Sequence, residues 1–193
     1  MNSLVFATNN NNKIKEINSL LNNRIKIISL HDINCIEEVP ETGATIKENA
    51  LQKARYVFEK YKYNCFADDT GLEVEALNGM PGVFSARYAG EEKDANKNIE
   101  KLLLELKNHP NRKARFVTVI ALIIDGNEFL FEGIIKGNIT ENRFGNSGFG
   151  YDPVFMPDGY NLTFAQMSLD QKNKISHRGI ATQKMIHFLN EKW

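Results

Sequence analysis

The first thirty residues constrain the fold most, because strand, helix and strand patterns follow one another there. The apolar run Ser3–Ala7 predicts a buried strand. The apolar residues that follow fall on one stripe of a helix over residues 11–22. Ile25–Leu30 alternates apolar and polar residues and predicts a second strand. This strand–helix–strand opening predicts an α/β fold whose sheet is at least partly parallel.

Capping residues place three more helices along the chain. Thr45 and Glu48 have the spacing of a capping box, so a helix is predicted over Ile46–Tyr61. Asp94 is a suitable N-cap for the next helix along the chain, which is expected to end at the turn His109-Pro110-Asn111. Ser176 is a candidate N-cap for the last helix, which is expected to end near residue 189.

Three β-rich runs complete the expected sheet. Asn64–Ala67 predicts a short strand that runs into the segment Asp68–Gly71. Ala114–Ile124 and Glu128–Ile139 predict a hairpin around an Asp-Gly-Asn turn. We therefore expect a mixed sheet with flanking helices. The 193 residues, 42% of them hydrophobic, suit a single domain over 1–193, or two lobes built on one sheet.

The overall composition argues against several classes of partner. Lys plus Arg and Asp plus Glu both number 24, whereas a dedicated nucleic-acid binder carries a basic surplus. Cys35 and Cys65 have no CxxC or metal-ligand spacing, which favours a reduced compartment. The N-terminus does not resemble a signal peptide, and the longest apolar run, Val119–Ile124, cannot span a bilayer. These features predict a cytoplasmic protein.

The first candidate site is the segment Thr8–Lys13, between the first strand and the first helix. Backbone N–H groups at a helix start suit phosphate, and Lys13 adds a full positive charge. The segment is not a Walker A loop, because the glycines and the Lys-Ser/Thr pair are missing. An asparagine-rich turn with an asparagine N-cap explains the same residues without a ligand.

The second candidate is the acidic segment Asp68–Gly71. Successive strand side chains point to opposite faces, so one of the two aspartates faces a given cleft. One carboxylate can bind Mg²⁺ or deprotonate a water, although a solvated acidic turn is the alternative. Glu37, Glu38 or Glu41 could complete a metal site, or could lie on a solvated loop. Lys53, on the following helix, is expected to be exposed, as most lysines are.

The third candidate is the glycine-rich loop at residues 148–153. Phe149 or Tyr151 could stack on a base, and Asp152 could accept base N–H hydrogen bonds. A turn with its aromatic residues packed in the core is the alternative. His177 and Arg178 would lie in a first helical turn, where cations are unfavourable unless an anion or carbonyl oxygen is near. A surface helix start is the alternative there.

Taken in order, these segments resemble the inosine triphosphate pyrophosphatase family, also called the non-canonical purine NTP pyrophosphatases. The resemblance covers nearly the whole chain, and many motifs in one order are more specific than any single motif. The matching segments are Thr8–Lys13, Glu41–Thr45, Glu48–Ala50, Lys53–Ala54, Phe66–Val74, Gly79–Val83, Ser85–Gly90, Gly148–Phe155, Lys172 and Ser176–Gly179.

This resemblance implies that a nucleotide with a damaged purine, such as ITP, dITP or XTP, is hydrolysed to the monophosphate and pyrophosphate. It also implies an elongated α/β fold with two lobes around a central cleft, and a homodimer. By the same resemblance, Asp69 is the general base and a Mg²⁺ ligand, and Glu41 is a second ligand. The implied substrate-binding residues are Thr8, Asn9, Asn10, Asn11, Asn12, Lys13, Lys53, Thr70, Phe149, Gly150, Tyr151, Asp152, Lys172, His177 and Arg178.

Two positions depart from the family pattern. Asn9 stands where the family has glycine, and asparagine tolerates left-handed backbone better than most residues. Thr70 stands where bacterial relatives often have serine, which keeps the hydroxyl. Two rival functions are a nucleotide pyrophosphatase or phosphatase without base preference and a nucleotide sensor that does not turn over. The acidic pair argues against a sensor, because acids repel phosphate unless a metal intervenes.

Overall fold

The computed structural model describes residues 3–21 and 25–193. Seven strands form one sheet in the order β2-β1-β3-β5-β6-β7, and β4 pairs with β3. The strands are β1 (Ser3–Phe6), β2 (Lys26–Ile28), β3 (Cys65–Val74), β4 (Pro81–Gly82), β5 (Lys113–Ile124), β6 (Asn127–Ile139) and β7 (Phe155–Pro157). The helices are α1 (Asn11–Leu20), α2 (Ile46–Tyr61), α3 (Ala95–Glu105), α4 (Leu169–Ile175) and α5 (His177–Lys192).

The sheet is mixed, as the sequence predicts. β1 lies parallel to both β2 and β3, which confirms the strand–helix–strand opening. β4 is antiparallel to β3, and β7 is antiparallel to β6. A parallel pair needs a crossover connection, and α1 and α2 supply the two crossovers.

The hairpin and the helix caps confirm the local predictions. Asp125 and Gly126 connect β5 to β6 with φ values of 50° and 82°, the pair of positive angles that a type I′ turn requires. Thr45 caps α2 with the reciprocal Glu48 bond of a capping box. Asp94 caps α3 by accepting from two backbone N–H groups. The predicted end of α1 at Asn22 lies outside the described residues, and the described helix ends at Leu20.

The structure differs from the sequence prediction in two respects. β3 is longer than the predicted Asn64–Ala67 strand and continues through Asp68–Gly71 to Val74, because cations buried beside the strand compensate its two acids. The sequence patterns did not predict α4, which Ser168 and Gln171 cap, or the short strands β4 and β7. None of the helices in the described part of the chain is long and apolar enough to cross a membrane.

The chain divides into two compact units. Unit 1 comprises Met1–Asp69, Thr118–Gly133 and Arg178–Trp193. Its apolar core includes Phe6, Phe66, Ile120, Leu122 and Met185. That one domain spans residues 1–193 remains a prediction.

Unit 2 comprises Thr70–Val117 and Ile134–His177. Its core is rich in aromatic side chains, and Phe116, Phe155 and Phe164 pack together with ring centroids 4.7 to 6.3 Å apart.

Candidate functional site

The start of α1 is built by Asn10, as the asparagine-cap alternative predicts. Its backbone is extended, and its Oδ1 accepts hydrogen bonds from the N–H groups of Asn12 (2.9 Å) and Lys13 (3.3 Å). Thr8 Oγ1 in turn accepts from Asn10 N at 3.2 Å. Asn9 and Asn11 are exposed. The Asn10 cap therefore satisfies two of the helix N–H groups that were candidates for binding phosphate.

A row of side chains with alternating charges is buried in unit 1. Lys13 Nζ donates to Asp68 Oδ1 at 2.9 Å. Asp68 Oδ2 accepts from Arg178 Nε at 2.9 Å, and Arg178 Nη1 donates to Glu16 at 2.5 Å. Arg178, Asp68 and Glu16 are all buried. Each charge has an opposite neighbour, which is the condition under which charges are tolerated away from water.

The pKa values of the residues in this row reflect the pairing of their charges. Burial alone would raise the pKa of Asp68, but the charges of Lys13 and Arg178 outweigh burial and lower it. Burial likewise disfavours a charged Arg178, and the two carboxylates outweigh it and raise its pKa. For Lys13 burial prevails over the attraction of Asp68, so that its pKa is lowered. Asp68 is therefore ionised at neutral pH and holds two cations.

Asp69 belongs to a second cluster in unit 1. Lys53 Nζ donates to Asp69 Oδ1 at 3.2 Å and to Glu41 Oε1 at 2.5 Å. Asn49 Nδ2 donates to the other oxygen of Asp69 at 3.4 Å. Two carboxylates thus converge on one ammonium group, and both oxygens of Asp69 face a donor.

Lys53 is buried, which corrects the expectation of an exposed lysine. The buried face of α2 is formed by Ile46, Asn49, Ala50, Lys53, Ala54 and Val57, which have the i, i+3, i+4, i+7 spacing of a core-facing stripe. The stripe carries Asn49 and Lys53 inward among apolar residues. Burial lowers the pKa of Lys53, but Asp69 and Glu41 outweigh burial and raise it, so the lysine stays charged.

The pKa of Asp69 is shifted upward. Burial is the main cause, Lys53 and Lys13 oppose it, and the charge of Glu41 adds to it. A carboxylate with a raised pKa is a stronger base than an exposed aspartate.

The structure distinguishes the three glutamates of the 31–43 segment. Glu41 contacts Lys53, the partner of Asp69, whereas Glu38 is exposed. Glu37 accepts hydrogen bonds from Tyr56 and Tyr61 and pairs with Lys60, so it fastens the segment to α2. Glu41 is therefore the glutamate beside the Asp69 cluster.

The cluster suits a hard divalent cation. Mg²⁺ is bound in proteins through one or two carboxylates, and the remaining positions are filled by water and substrate phosphate. Asp69 and Glu41 provide two carboxylates that already share one cationic partner. Within the described residues, no group of three or more His, Cys, Asp and Glu side chains is placed to hold a metal ion. A two-carboxylate site that relies on a phosphate ligand fits these residues better than an all-protein cage.

In unit 2, the glycine-rich loop closes on its own aspartate. Asp152 Oδ2 accepts from Phe149 N at 2.8 Å and from Lys172 Nζ at 2.5 Å. Lys172 Nζ also lies 4.9 Å from the centroid of the Phe149 ring. Gly148 has φ +76°, and a Cβ there would lie 2.1 Å from Asp152 Oδ2. Only glycine permits this approach.

The loop presents Phe149 and not Tyr151. Phe149 is partly exposed, whereas Tyr151 packs in the core of unit 2 and its hydroxyl donates to Ser85 O at 2.9 Å. This corrects the suggestion that Tyr151 stacks on a base, since its ring supports the loop from within. Gly150 (φ +60°) has open space where a Cβ would stand.

Thr70 follows Asp69 in β3 and is partly buried.

His177 and Arg178 begin α5, as predicted, but have different surroundings. The His177 ring stacks on Phe116 of unit 2 with centroids 4.4 Å apart and a 16° angle between the planes. Arg178 belongs to unit 1, where Asp68 and Glu16 hold its guanidinium. The expected anion beside these first-turn cations is thus present for Arg178 within the protein itself.

Two polar residues of these clusters were missed from the sequence. Glu16 lies four residues before Leu20 and Asn49 three after Ile46, so both fall on the core-facing stripes of their helices. A polar residue at such a position is the signal that could have found them, because a buried polar side chain requires a partner.

Known proteins are similar to this chain over almost its whole length. The family model described as the Ham1 family matches residues 4–188. A protein of Flavobacterium psychrophilum named dITP/XTP pyrophosphatase is 62% identical over 185 residues, 96% of this chain and 97% of that protein. One of the same name from Flavobacterium johnsoniae is 58% identical over 186 residues, with 96% and 97% covered.

A solved structure agrees with these matches. The Staphylococcus aureus Ham1 protein has a TM-score of 0.90 and 40% identity, and the alignment covers 99% of this chain and 100% of that one. The resemblance drawn from the motifs is therefore confirmed, and with a family match over almost the entire sequence this chain belongs to the Ham1 family.

Proposed function

We propose that this chain hydrolyses non-canonical purine nucleoside triphosphates, dITP, ITP and XTP, to the monophosphate and pyrophosphate. The chain is a nucleoside-triphosphate pyrophosphatase. One observation supports the chemistry most directly: Asp69, with its raised pKa, and Glu41 converge on the buried ammonium of Lys53. The names of relatives at 62% and 58% identity support the choice of substrate.

The residues proposed to act on the triphosphate have complementary parts in this reaction. Asp69 accepts the proton of the water that attacks the α-phosphorus. Lys13 and Lys53, with the Thr8–Lys13 segment and Thr70, bind the phosphates and stabilise the charge that grows on the leaving pyrophosphate. Asp68 keeps Lys13 oriented through their 2.9 Å bond. When bound by Asp69 and Glu41, Mg²⁺ would offset phosphate charge and lower the pKa of a coordinated water.

Base preference follows from the donor pattern of the purine. Hypoxanthine and xanthine present an acceptor at O6 and a donor at N1, and adenine reverses both. His177 or Arg178 supplies the donor for O6, and the loop with Phe149, Asp152 and Lys172 holds the nucleoside. A site built to donate to O6 leaves its buried donors unpaired against adenine, which can reject an analogue by about 10⁴-fold. Guanine shares O6 and has to be refused at its 2-amino group.

The remaining expectations concern the setting. We propose that the enzyme acts on the nucleotide pool in the cytoplasm, as a homodimer and without a nucleic-acid partner. The balanced charge, 24 basic and 24 acidic residues, supports the last point.

The test compares hydrolysis of dITP, ITP, XTP, GTP and ATP by the purified protein, with both possible products measured. We expect the first three to exceed GTP and ATP by at least about 100-fold in kcat/KM, with pyrophosphate as product. EDTA should abolish turnover, and Mg²⁺ should restore it. Equal rates on all five would remove the base preference, and orthophosphate as the first product would rule out a pyrophosphatase.

A further inference from the structure

Asn49 contacts both Asp69 and the segment that carries Glu41. It is the fourth residue of α2 and is 2% exposed. Its Oδ1 accepts from Gly43 N at 2.7 Å, and its Nδ2 donates to Asp69 Oδ2 at 3.4 Å. The backbone N–H of Gly43 can only donate, so it fixes the amide orientation and leaves the NH₂ group towards the carboxylate.

The segment that carries Glu41 is fastened to α2 by side chains. Four consecutive backbone N–H groups, those of residues 42–45, donate to Gln52 Oε1, Asn49 Oδ1 and, twice, Glu48 Oε2 at 2.7 to 3.0 Å. Glu41 directly precedes this run. Of the three accepting side chains, Asn49 also contacts Asp69.

Gly43 makes the close approach of segment and helix possible. A Cβ at this position would lie 2.7 Å from Glu48 Cβ and 2.9 Å from Asn49 Oδ1. The sequence therefore pairs a glycine on the segment with an asparagine on the helix. Their contact keeps the segment that carries Glu41 close to the helix residue that contacts Asp69.

We propose that Asn49 is a positioning residue: its amide orients the Asp69 carboxylate and ties it to the segment that carries Glu41. Lys53 holds Asp69 Oδ1 and Asn49 holds Oδ2, so the plane of the carboxylate is fixed. Removal of a side chain that orients a ligand in this way costs about 10- to 100-fold in metal affinity or activity. The proposal rests on the proposed function for its kinetic consequence and on the geometry for its metal-binding consequence.

Asn98 in unit 2 offers a matched control. It is also the fourth residue of its helix, α3, and is 3% exposed. It accepts from Ala89 N at 2.7 Å and donates to Ala86 O at 2.9 Å. Its donor thus faces a backbone carbonyl where that of Asn49 faces a carboxylate, so Asn98→Ala removes a comparable buried amide without touching the acidic cluster.

The experiment measures kcat and KM for dITP, thermal stability, and Mn²⁺ affinity by EPR in Asn49→Ala, Asn98→Ala and wild type. We expect Asn49→Ala to lower kcat by about 10- to 100-fold and to weaken Mn²⁺ binding by about tenfold or more. Its KM should stay within about threefold of wild type, because the buried amide contacts Gly43 and Asp69 and is not among the groups proposed to bind the substrate. Asn98→Ala should lower the melting temperature to a similar extent but leave kcat and Mn²⁺ affinity within about threefold.

A third variant separates positioning from loop anchoring. Asn49→Asp keeps an acceptor for Gly43 N but places a second carboxylate against Asp69. We expect kcat to fall at least as far as in Asn49→Ala, whereas a role confined to anchoring the segment would leave kcat near wild type.

Two results would overturn the proposal: equal losses in Asn49→Ala and Asn98→Ala, or a wild-type kcat in Asn49→Asp. If wild type binds Mn²⁺ without hydrolysing dITP, the proposed function fails, and the Mn²⁺ comparison alone decides the role of Asn49. If wild type hydrolyses dITP without measurable Mn²⁺ binding, the kinetic comparison decides it.

Discussion

Asp68 and Asp69 are neighbours in β3, yet the pKa of Asp68 is lowered and that of Asp69 is raised. Alternation along the strand gives each carboxylate its own surroundings. Asp68 meets two cations, Lys13 and Arg178, which overcome the effect of burial. Asp69 shares Lys53 with Glu41, whose negative charge adds to the effect of burial. One aspartate is therefore a fixed anion, and the other is suited to accept a proton.

Asp69→Asn is expected to lower kcat for dITP by at least about 10²- to 10⁴-fold, because the amide cannot act as a base. Nucleotide binding should persist, since the variant keeps a side chain of the same shape. Steady-state kinetics with calorimetric titration of IMP would measure both effects. Hydrolysis that survives at the wild-type rate would show that another group accepts the proton.

Asp68→Asn is expected to destabilise the fold by about 3–5 kcal/mol, because it leaves Lys13 and Arg178 without their shared buried anion. Urea unfolding followed by circular dichroism would measure the change. The matched control is Glu128→Gln, which breaks the exposed pair with Arg55 and should cost no more than about 1 kcal/mol. Equal, small losses in both variants would contradict the role of Asp68 in holding the buried charges.

Gly148→Ala is expected to raise KM for dITP by about tenfold or more. The new Cβ would displace the Asp152 carboxylate from Phe149 N, and a hydrogen bond to a charged group contributes about 1.5–3 kcal/mol. Gly159→Ala is the control, since Gly159 also has a positive φ (+81°) but open space at its Cβ position. A similar KM in the two variants would show that backbone strain, and not the position of Asp152, matters in the loop.

Glu37→Gln is expected to reduce stability at neutral pH but not in strong acid. Hydrogen bonds from Lys60, then Tyr61 and Tyr56, lower the Glu37 pKa from 4.5 to about 2. A pKa lowered by folding means that the stabilisation is complete above 4.5 and is lost as the pH falls through about 2. Urea unfolding of both proteins at a series of pH values should show a difference that shrinks on acidification. A difference that is independent of pH would refute the charge-based explanation.

The sequence determined the features that depend on residues close together in the chain. Thr45 with Glu48 and the Asp125–Gly126 turn act over at most a few residues, so their patterns predict α2 and the β5–β6 hairpin closely. The apolar spacing of β1, α1 and β2 predicts the parallel opening for the same reason. The motifs that resemble the Ham1 proteins could also be found without coordinates.

Tertiary structure alone decided which charges are buried and what they contact. Arg178 lies 110 residues from Asp68 and 162 from Glu16, and no local pattern reveals such pairs. Contacts between distant residues also explain four features that the sequence did not reveal. These are the continuity of β3 through two acids, the burial of Lys53, the packing of Tyr151 and the double role of Asn49. The physical reason is that a charged or polar side chain is stable in the interior only when partners surround it. Distant segments of the chain supply those partners, and only the folded arrangement brings them together.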